Sequence, residues 1–305
     1  NETPKAILLW RAMLQWLGGI GIIVMAITLM PIMNIGGMQL FIISTSSTPE
    51  KILPKSKEIS IRLILIYSTL TIVCALFYKI FGMSFFDSVV HSMTTIATGG
   101  FSTFNNSIQG FGSDIVSWTI IIFMFLGATN FSLHFLLIAK KSFEYFNDSE
   151  FRFYVSFILL LFILTFINVA SIYGYTFNNL TASLFNTVTF MTTTGYTLYD
   201  YETWPPLSQL IVFFMFFIGG MAGSTTGGIK LIRTILVIKY IKAEITRMLH
   251  PRGLHHVKIG NRVIDDDIVR STLGFYLFYI LIFGLCSLII SMHGLDMISS
   301  LDWPR

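Results

Sequence analysis

Residues 88–102 and 183–197 are two versions of one phrase. SVVHSMTTIATGGFS aligns without a gap on SLFNTVTFMTTTGYT, so that Gly100 falls on Gly195, 95 positions away, and Phe101 on Tyr196. Each copy runs from a short apolar stretch into threonines and then into glycine, an aromatic residue and a hydroxyl residue. Each also lies between two longer apolar runs. That arrangement restricts the chain to re-entrant, pore-lining loops. Glycine lets backbone carbonyls turn toward an ion, and threonines add oxygens in place of the hydration shell. The candidate ion-binding residues are therefore Thr98, Gly99, Gly100 and Phe101 in one copy and Thr193, Thr194, Gly195, Tyr196 and Thr197 in the other.

Of the 305 residues 54% are hydrophobic and only 12% charged, and the mean hydropathy is +0.72. These values exclude an ordinary soluble domain and predict an all-α integral membrane protein. Spans are expected at 12–33, 61–81, 114–139, 153–174 and 270–292, with a longer, interrupted one at 207–241, because about 20 apolar residues cross a hydrocarbon core. The runs at 84–97 and 181–193 are too short to cross, so they read as pore helices that enter and return. The repeating unit is span, pore helix, filter, span. Cys74 and Cys286 both sit in apolar runs and read as small packing residues.

Lysine and arginine set the sidedness. Segments 44–62, 139–152 and 230–270 carry 4, 3 and 9 of the 20; between 63 and 138 there is only Lys79, and between 153 and 229 none. The positive-inside rule makes those three segments cytoplasmic and opens both filters outward. The same clustering explains the net charge of +4 without nucleic acid. Asp200 and Glu202 then lie at the outer mouth, either concentrating cations or serving as ordinary solvated acids.

The interrupted span holds Gly219-Gly220-Met-Ala-Gly223-Ser224-Thr225-Thr226-Gly227-Gly228. So many glycines do not form a stable helix, at about 1 kcal/mol each relative to alanine. Non-helical backbone at membrane depth persists only where protein packs around it or it lines water. The expectation is a mobile gate under the filter, in preference to small residues serving close helix packing. A phosphate-binding loop fails on spacing, because Ile229 follows Gly228 where lysine is needed. Lys230 and Arg233 are expected to anchor the inner end of the segment. His250, His255 and His256 lack cysteine or carboxylate neighbours at ligand spacing and read as loop residues. The apolar spans carry almost no ionisable groups, which disfavours a membrane enzyme.

Trp16-Leu-Gly-Gly-Ile-Gly-Ile-Ile-Val24, Gly36-Gly-Met-Gln-Leu40, Ala97-Thr-Gly-Gly-Phe-Ser-Thr103, Thr192-Thr-Thr-Gly-Tyr-Thr197 with Asp200 and Trp204-Pro205, and Gly223-Ser-Thr-Thr-Gly-Gly-Ile-Lys230 together resemble the Trk/Ktr/HKT family of potassium transporters, its bacterial Trk branch in particular. The resemblance implies four linked repeats around a pseudo-four-fold pore. It also implies a filter glycine in each repeat (here Gly100 and Gly195), K+ at Thr98, Gly100, Thr194 and Gly195, and an intramembrane gating loop in the third repeat. Further implications are potassium uptake across a bacterial inner membrane, no cofactor in this chain, a homodimer, and a cytosolic nucleotide-binding regulatory subunit for which 230–270 lies on the right face.

On this reading residues 1–43 close a first repeat, 44–140 and 141–245 form the second and third, and 246–305 hold a basic loop and the start of a fourth. Leu295–Ser299 aligns with Phe86–Val90 as that fourth opening, and Leu301–Arg305 departs from the family pattern. The alternatives left open are a truncated, non-transporting fragment and a sodium-selective or sodium-coupled transporter.

Overall fold

The computed structural model describes residues 3–25, 56–140, 144–250, 256–260 and 262–292. The Gly36–Leu40 signature, His255, Leu295–Ser299 and Leu301–Arg305 lie outside the described residues. Within them the chain is helical apart from its loops and one short hairpin. The helices are α1 (Lys5–Val24), α2 (Ser56–Ile80), α3 (Phe85–Ile96), α4 (Asp114–Gly127), α5 (Phe131–Lys140), α6 (Ser149–Tyr173), α7 (Phe177–Met191), α8 (Pro206–Met215), α9 (Leu231–Leu249) and α10 (Asp266–Ser291). Strands β1 (Lys258–Ile259) and β2 (Arg262–Val263) pair antiparallel.

Length separates two kinds of helix. α2 and α6 have 25 residues each, or about 37 Å at 1.5 Å per residue, enough for the hydrocarbon core. They leave Leu65, Ile72 and Leu76, and Leu159, Leu160 and Ile167, on the outside, as a lipid-facing surface requires. With α1 and α10 they make four helices long and apolar enough to cross a membrane among the described residues. By contrast α3 and α7 have 12 and 15 residues. They are nonetheless deeply buried, down to Thr94, Thr95, Thr187 and Thr189. Ser84 caps α3 by accepting from the Asp87 amide, and Thr176 caps α7 by accepting from the Asn179 amide.

Each short helix is walled by its neighbours in the same way. α2 packs on α3 and α6 on α7, while α1 also backs α3 and α4 backs α7. The closing helix of one unit therefore supports the short helix of the next. At the Trp16–Gly19 stretch α1 is also fastened to α2. Trp16 Nε1 donates to Thr71 Oγ1 at 3.0 Å, and the Tyr67 hydroxyl donates to the Trp16 carbonyl at 3.1 Å. A Cβ on Gly19 would lie 2.6 Å from that hydroxyl.

The expected single span at 114–139 is instead broken. α4 and α5 meet at 95°, although Ala128-Thr-Asn130 contains neither glycine nor proline. The cause is tertiary. The Ala128 carbonyl accepts from the Met221 amide at 3.1 Å, and the Phe131 amide donates to the Gly223 carbonyl at 3.1 Å. Asn130 Oδ1 then receives the Ser132 amide at the start of α5. The glycine-rich segment thus satisfies the backbone groups that the break exposes, which a membrane interior demands.

Two compact units divide the chain, 1–232 and 233–305. All the elements up to the first residues of α9 belong to the first. Within the second, Thr234 Oγ1 bonds the Tyr276 hydroxyl at 2.6 Å and the Arg233 guanidinium lies 4.0 Å over the Phe275 ring. There the Lys239 ammonium donates to the Lys258 carbonyl.

Tyr196 ties the two repeats of the first unit together. It is fully buried, and its hydroxyl lies 2.6 Å from Thr94 Oγ1, 3.2 Å from Thr95 Oγ1 and 3.3 Å from the His91 carbonyl. Tyr196→Phe removes these bonds without changing the ring. It is expected to cost about 1 to 2 kcal/mol and to lower the thermal unfolding midpoint in detergent. An unchanged midpoint would remove the cross-repeat bond from the account.

Candidate ion-conducting site

The two repeated loops fold alike, bond for bond. In the first, Thr98 N donates to Thr95 O (3.0 Å), and Gly99 N and Gly100 N share Thr94 O (2.8 and 3.4 Å). In the second, Thr193 N donates to Phe190 O (3.0 Å), and Thr194 N and Gly195 N share Thr189 O (2.9 and 3.4 Å). The amides of both turns are thereby drawn back onto their own short helices. Backbone conformation repeats too: Thr98 and Thr193 have φ of 51° and 53°, Gly100 and Gly195 of 73° and 78°. Left-handed threonine costs about 1–2 kcal/mol, and strain kept at equivalent positions of two repeats points to use.

The loops also touch. A Cβ on Gly100 would lie 1.9 Å from the Thr194 carbonyl oxygen, so only glycine fits there, while the same position on Gly195 is open. Gln15 of α1 donates to the Gly99 carbonyl at 2.9 Å. At the far edge, Ile108 N donates to Thr197 O and Thr197 N to Ser107 Oγ.

The predicted ion-binding residues are thus brought together, but their side chains differ in what they do. Thr194 turns its hydroxyl inward to Thr192 at 2.8 Å, leaving its carbonyl as the group directed at the neighbouring loop. Phe101, the partner of buried Tyr196 in the repeat, is 44% exposed and carries the Arg11 guanidinium 4.3 Å over its ring. Asp200 accepts from the Glu202 amide and caps the short turn 201–203.

The glycine-rich segment closes on itself and on both repeats. Ile218 and Ile229 pair in parallel, with Gly219 N donating to Ile229 O at 2.8 Å and Ile229 N to Phe217 O at 3.2 Å. Side chains are excluded at its neck, where a Cβ on Gly219 would lie 2.1 Å from Gly227 O. Met221, Ala222, Ser224, Thr225 and Thr226 are all buried. Thr225 Oγ1 lies 3.0 Å from Ile96 O, 3.1 Å from Gly127 O and 3.2 Å from Thr98 Oγ1. Gly227 N donates to Thr193 Oγ1 at 2.8 Å. The Lys230 ammonium folds back to Ser224 O, Thr226 O and Thr226 Oγ1, so it fastens the segment from inside. Arg233, expected to share that task, stacks on Phe275 instead.

One participant escapes a reading of the sequence by motif. Glu150, in the first turn of α6, is buried, and its Oε1 accepts the Ala222 amide at 2.8 Å. Asp148 sets its place by capping α6 through the Phe151 amide at 2.7 Å, and burial pushes the Asp148 carboxyl up. The sequence gives little warning of it, because Glu150 falls in the 139–152 segment read as cytoplasmic, just outside the span expected at 153–174.

Residues 1–302 match the profile of the TrkH family, described as cation transport proteins. The chain belongs to this family. It is 37% identical over 307 residues to the Trk system potassium uptake protein TrkH of Vibrio parahaemolyticus, covering 98% of this chain and 63% of that protein. It is also 37% identical to the protein of the same name from Escherichia coli, covering 97% and 62%. The crystal structure of the potassium transporter TrkH from Vibrio parahaemolyticus superimposes with a TM-score of 0.88 at 36% identity, over 98% of this chain and 62% of that one. The chain therefore spans a little under two thirds of the length of these relatives. As a TrkH-family member it is a multi-pass membrane protein with a helical transporter fold, and the family consists of transport proteins, not enzymes.

Glu150 is the point at which this TrkH-family chain grips the segment from α6. Glu150→Ala strips the Ala222 amide of its buried acceptor, a loss of about 1–3 kcal/mol, and is expected to speed proteolysis of 219–228 in detergent. Glu150→Gln keeps an acceptor oxygen and is expected to retain most of the protection. Equal protection in the alanine variant would remove Glu150 from the anchoring set.

Proposed function

We propose that the two repeated loops are selectivity filters for K+ and that the Gly219–Gly228 segment is the gate beneath them, in a protein that takes up potassium across a bacterial inner membrane. The observation that carries this reading is the matching geometry of Thr98–Phe101 and Thr193–Tyr196, with one segment bonded to the same threonine of both. Carbonyls around Thr98, Gly100, Thr194 and Gly195 replace water around a dehydrated ion. The α3 and α7 helices end at these loops, and their C-terminal dipole ends favour a cation there. The names of the relatives, potassium uptake proteins of the Trk system, agree with that ion and with work alongside other subunits. A second copy of the chain and a cytosolic nucleotide-binding subunit are the partners this reading implies.

The ion is the transported substrate and the chain needs no cofactor for this chemistry. Oxygen ligands that replace hydration suffice, and the gate acts by occupying the path.

The test is potassium uptake in a bacterial strain without its own potassium systems, using the full-length protein. Growth at low potassium is expected. Shortening the 219–228 segment is expected to raise flux, and unchanged flux would remove the gate assignment. Gly195→Ala forces a β-carbon into a left-handed position and is expected to weaken the preference for K+ over Na+. Preserved selectivity would count against Gly195 as a filter residue.

A further inference from the structure

The second compact unit carries a groove that neither the filter loops nor the glycine-rich segment uses. It lies between α9 and the chain that forms the β1–β2 hairpin, and its volume is about 430 Å3. Lys239, Lys242 and Thr246 line it from the helix, and His256 and Lys258 from the other side. Three lysines therefore border one cavity, together with a histidine and a hydroxyl. The protein's own bonds fix its shape. The Lys239 ammonium donates to the Lys258 carbonyl at 2.6 Å, and Ile264 N donates to Val257 O at 2.9 Å. Val257 and Ile259 are buried beneath it. Glu244, the only carboxylate of α9, is paired with Arg247 at 2.9 Å. A groove lined in this way suits an anion, and lysine is a point-charge binder of phosphate.

The surroundings select the kind of anion. The hairpin leads directly into α10, which starts at Asp266 and is long and apolar enough to cross a membrane. The groove thus sits at the foot of a membrane span, in the basic segment that the positive-inside rule places on the cytoplasmic side. Beside the lysines, α9 exposes Ile238, Ile241, Ile245 and Met248, three and four residues apart and hence on one stripe. A basic face next to an exposed apolar stripe is the pattern of a helix at the membrane interface. A free phosphate has no use for the stripe, and an acidic protein surface leaves it uncovered. A phospholipid supplies both halves on one molecule, phosphate for the lysines and acyl chains for the isoleucines. Zwitterionic lipids bring their own cation to the lysines and gain less.

We infer that the groove between α9 and the hairpin binds the headgroup of an anionic phospholipid of the inner leaflet. Lys239, Lys242 and Lys258 hold the phosphate, and the acyl chains lie along Ile238, Ile241 and Ile245. The site is separate from the filter loops and the gate and stands whether or not those assignments hold.

The test is lipid binding to the full-length protein in neutral detergent, followed by native mass spectrometry. Dioleoylphosphatidylglycerol is the probe and dioleoylphosphatidylcholine the comparison. A phosphatidylglycerol site about ten-fold tighter than any for phosphatidylcholine is expected. Lys242→Gln with Lys258→Gln is expected to weaken it about ten-fold, the scale that two lysines near an anionic headgroup support. Lys242→Arg with Lys258→Arg keeps both charges and is expected to keep the affinity, which guards against a misfolded glutamine variant.

Ile241→Ser with Ile245→Ser is expected to weaken phosphatidylglycerol as well, and millimolar inorganic phosphate to leave the lipid in place. Equal affinity for the two lipids, or unchanged phosphatidylglycerol binding in the glutamine variant, overturns the assignment. Displacement by inorganic phosphate with full retention in the serine variant makes the groove a soluble-anion site and overturns the lipid. If the glutamine variant keeps the lipid but loses a cytosolic protein captured by the unsubstituted chain, the groove docks protein and the lipid assignment falls.

Discussion

The irregular stretches that matter most here, the two repeated loops' turns, the break after α4 and the glycine-rich segment, lie largely buried, and their backbone must find partners inside the protein. That demand organises the first compact unit. The repeated loops satisfy theirs by folding amides back onto α3 and α7. The break after α4 and the glycine-rich segment satisfy each other, through Met221 to Ala128 and Phe131 to Gly223. Remove either irregular stretch and the other exposes buried polar groups, each a penalty of about 1–3 kcal/mol. The two are best regarded as one structural feature made from distant parts of the sequence.

Packing follows from the same demand. Short helices that do not cross the membrane need walls, and α1, α2 and α4 wall α3 as α4, α6 and α8 wall α7. Hydroxyls then pin what apolar contact alone leaves free to slide. Tyr196 reaches back to Thr94 in the previous repeat, and Trp16 reaches forward to Thr71. The apolar cluster of Val169, Ala182, Phe190, Trp204, Val212 and Met215 fills the space behind the second loop, so rigidity there comes from both kinds of contact.

Much of this was legible in the sequence because it repeats. Threonine and glycine at equal spacing in two copies announced the loops, and a run of glycines inside an apolar stretch announced non-helical backbone. What was illegible depends on neighbours far along the chain. Gly127 and Asn130 are only weak local signals, and the 95° turn between α4 and α5 rests on the distant Met221 and Gly223 partners. Tyr196 and Phe101 align in the repeat, yet one is buried and the other lies under Arg11, because they face different surroundings. The start of α7 at Phe177, earlier than the apolar run at 181, follows from the Thr176 cap and not from hydropathy. Glu150 carried no signal, because it lies beside Arg152 in a segment read as cytoplasmic.

The glycine-rich segment belongs to one repeat, yet it meets the equivalent threonine in two. A pore assembled from identical subunits would carry a copy of such a segment on every subunit, all converging on one axis with room for few. Joining the repeats in a single polypeptide lifts that restriction. The third repeat can give up the regularity of its closing helix to reach both loops, while the second only bends after α4 and α1 runs unbroken. Unlike repeats in a single chain thus permit a division of labour that rotational identity forbids.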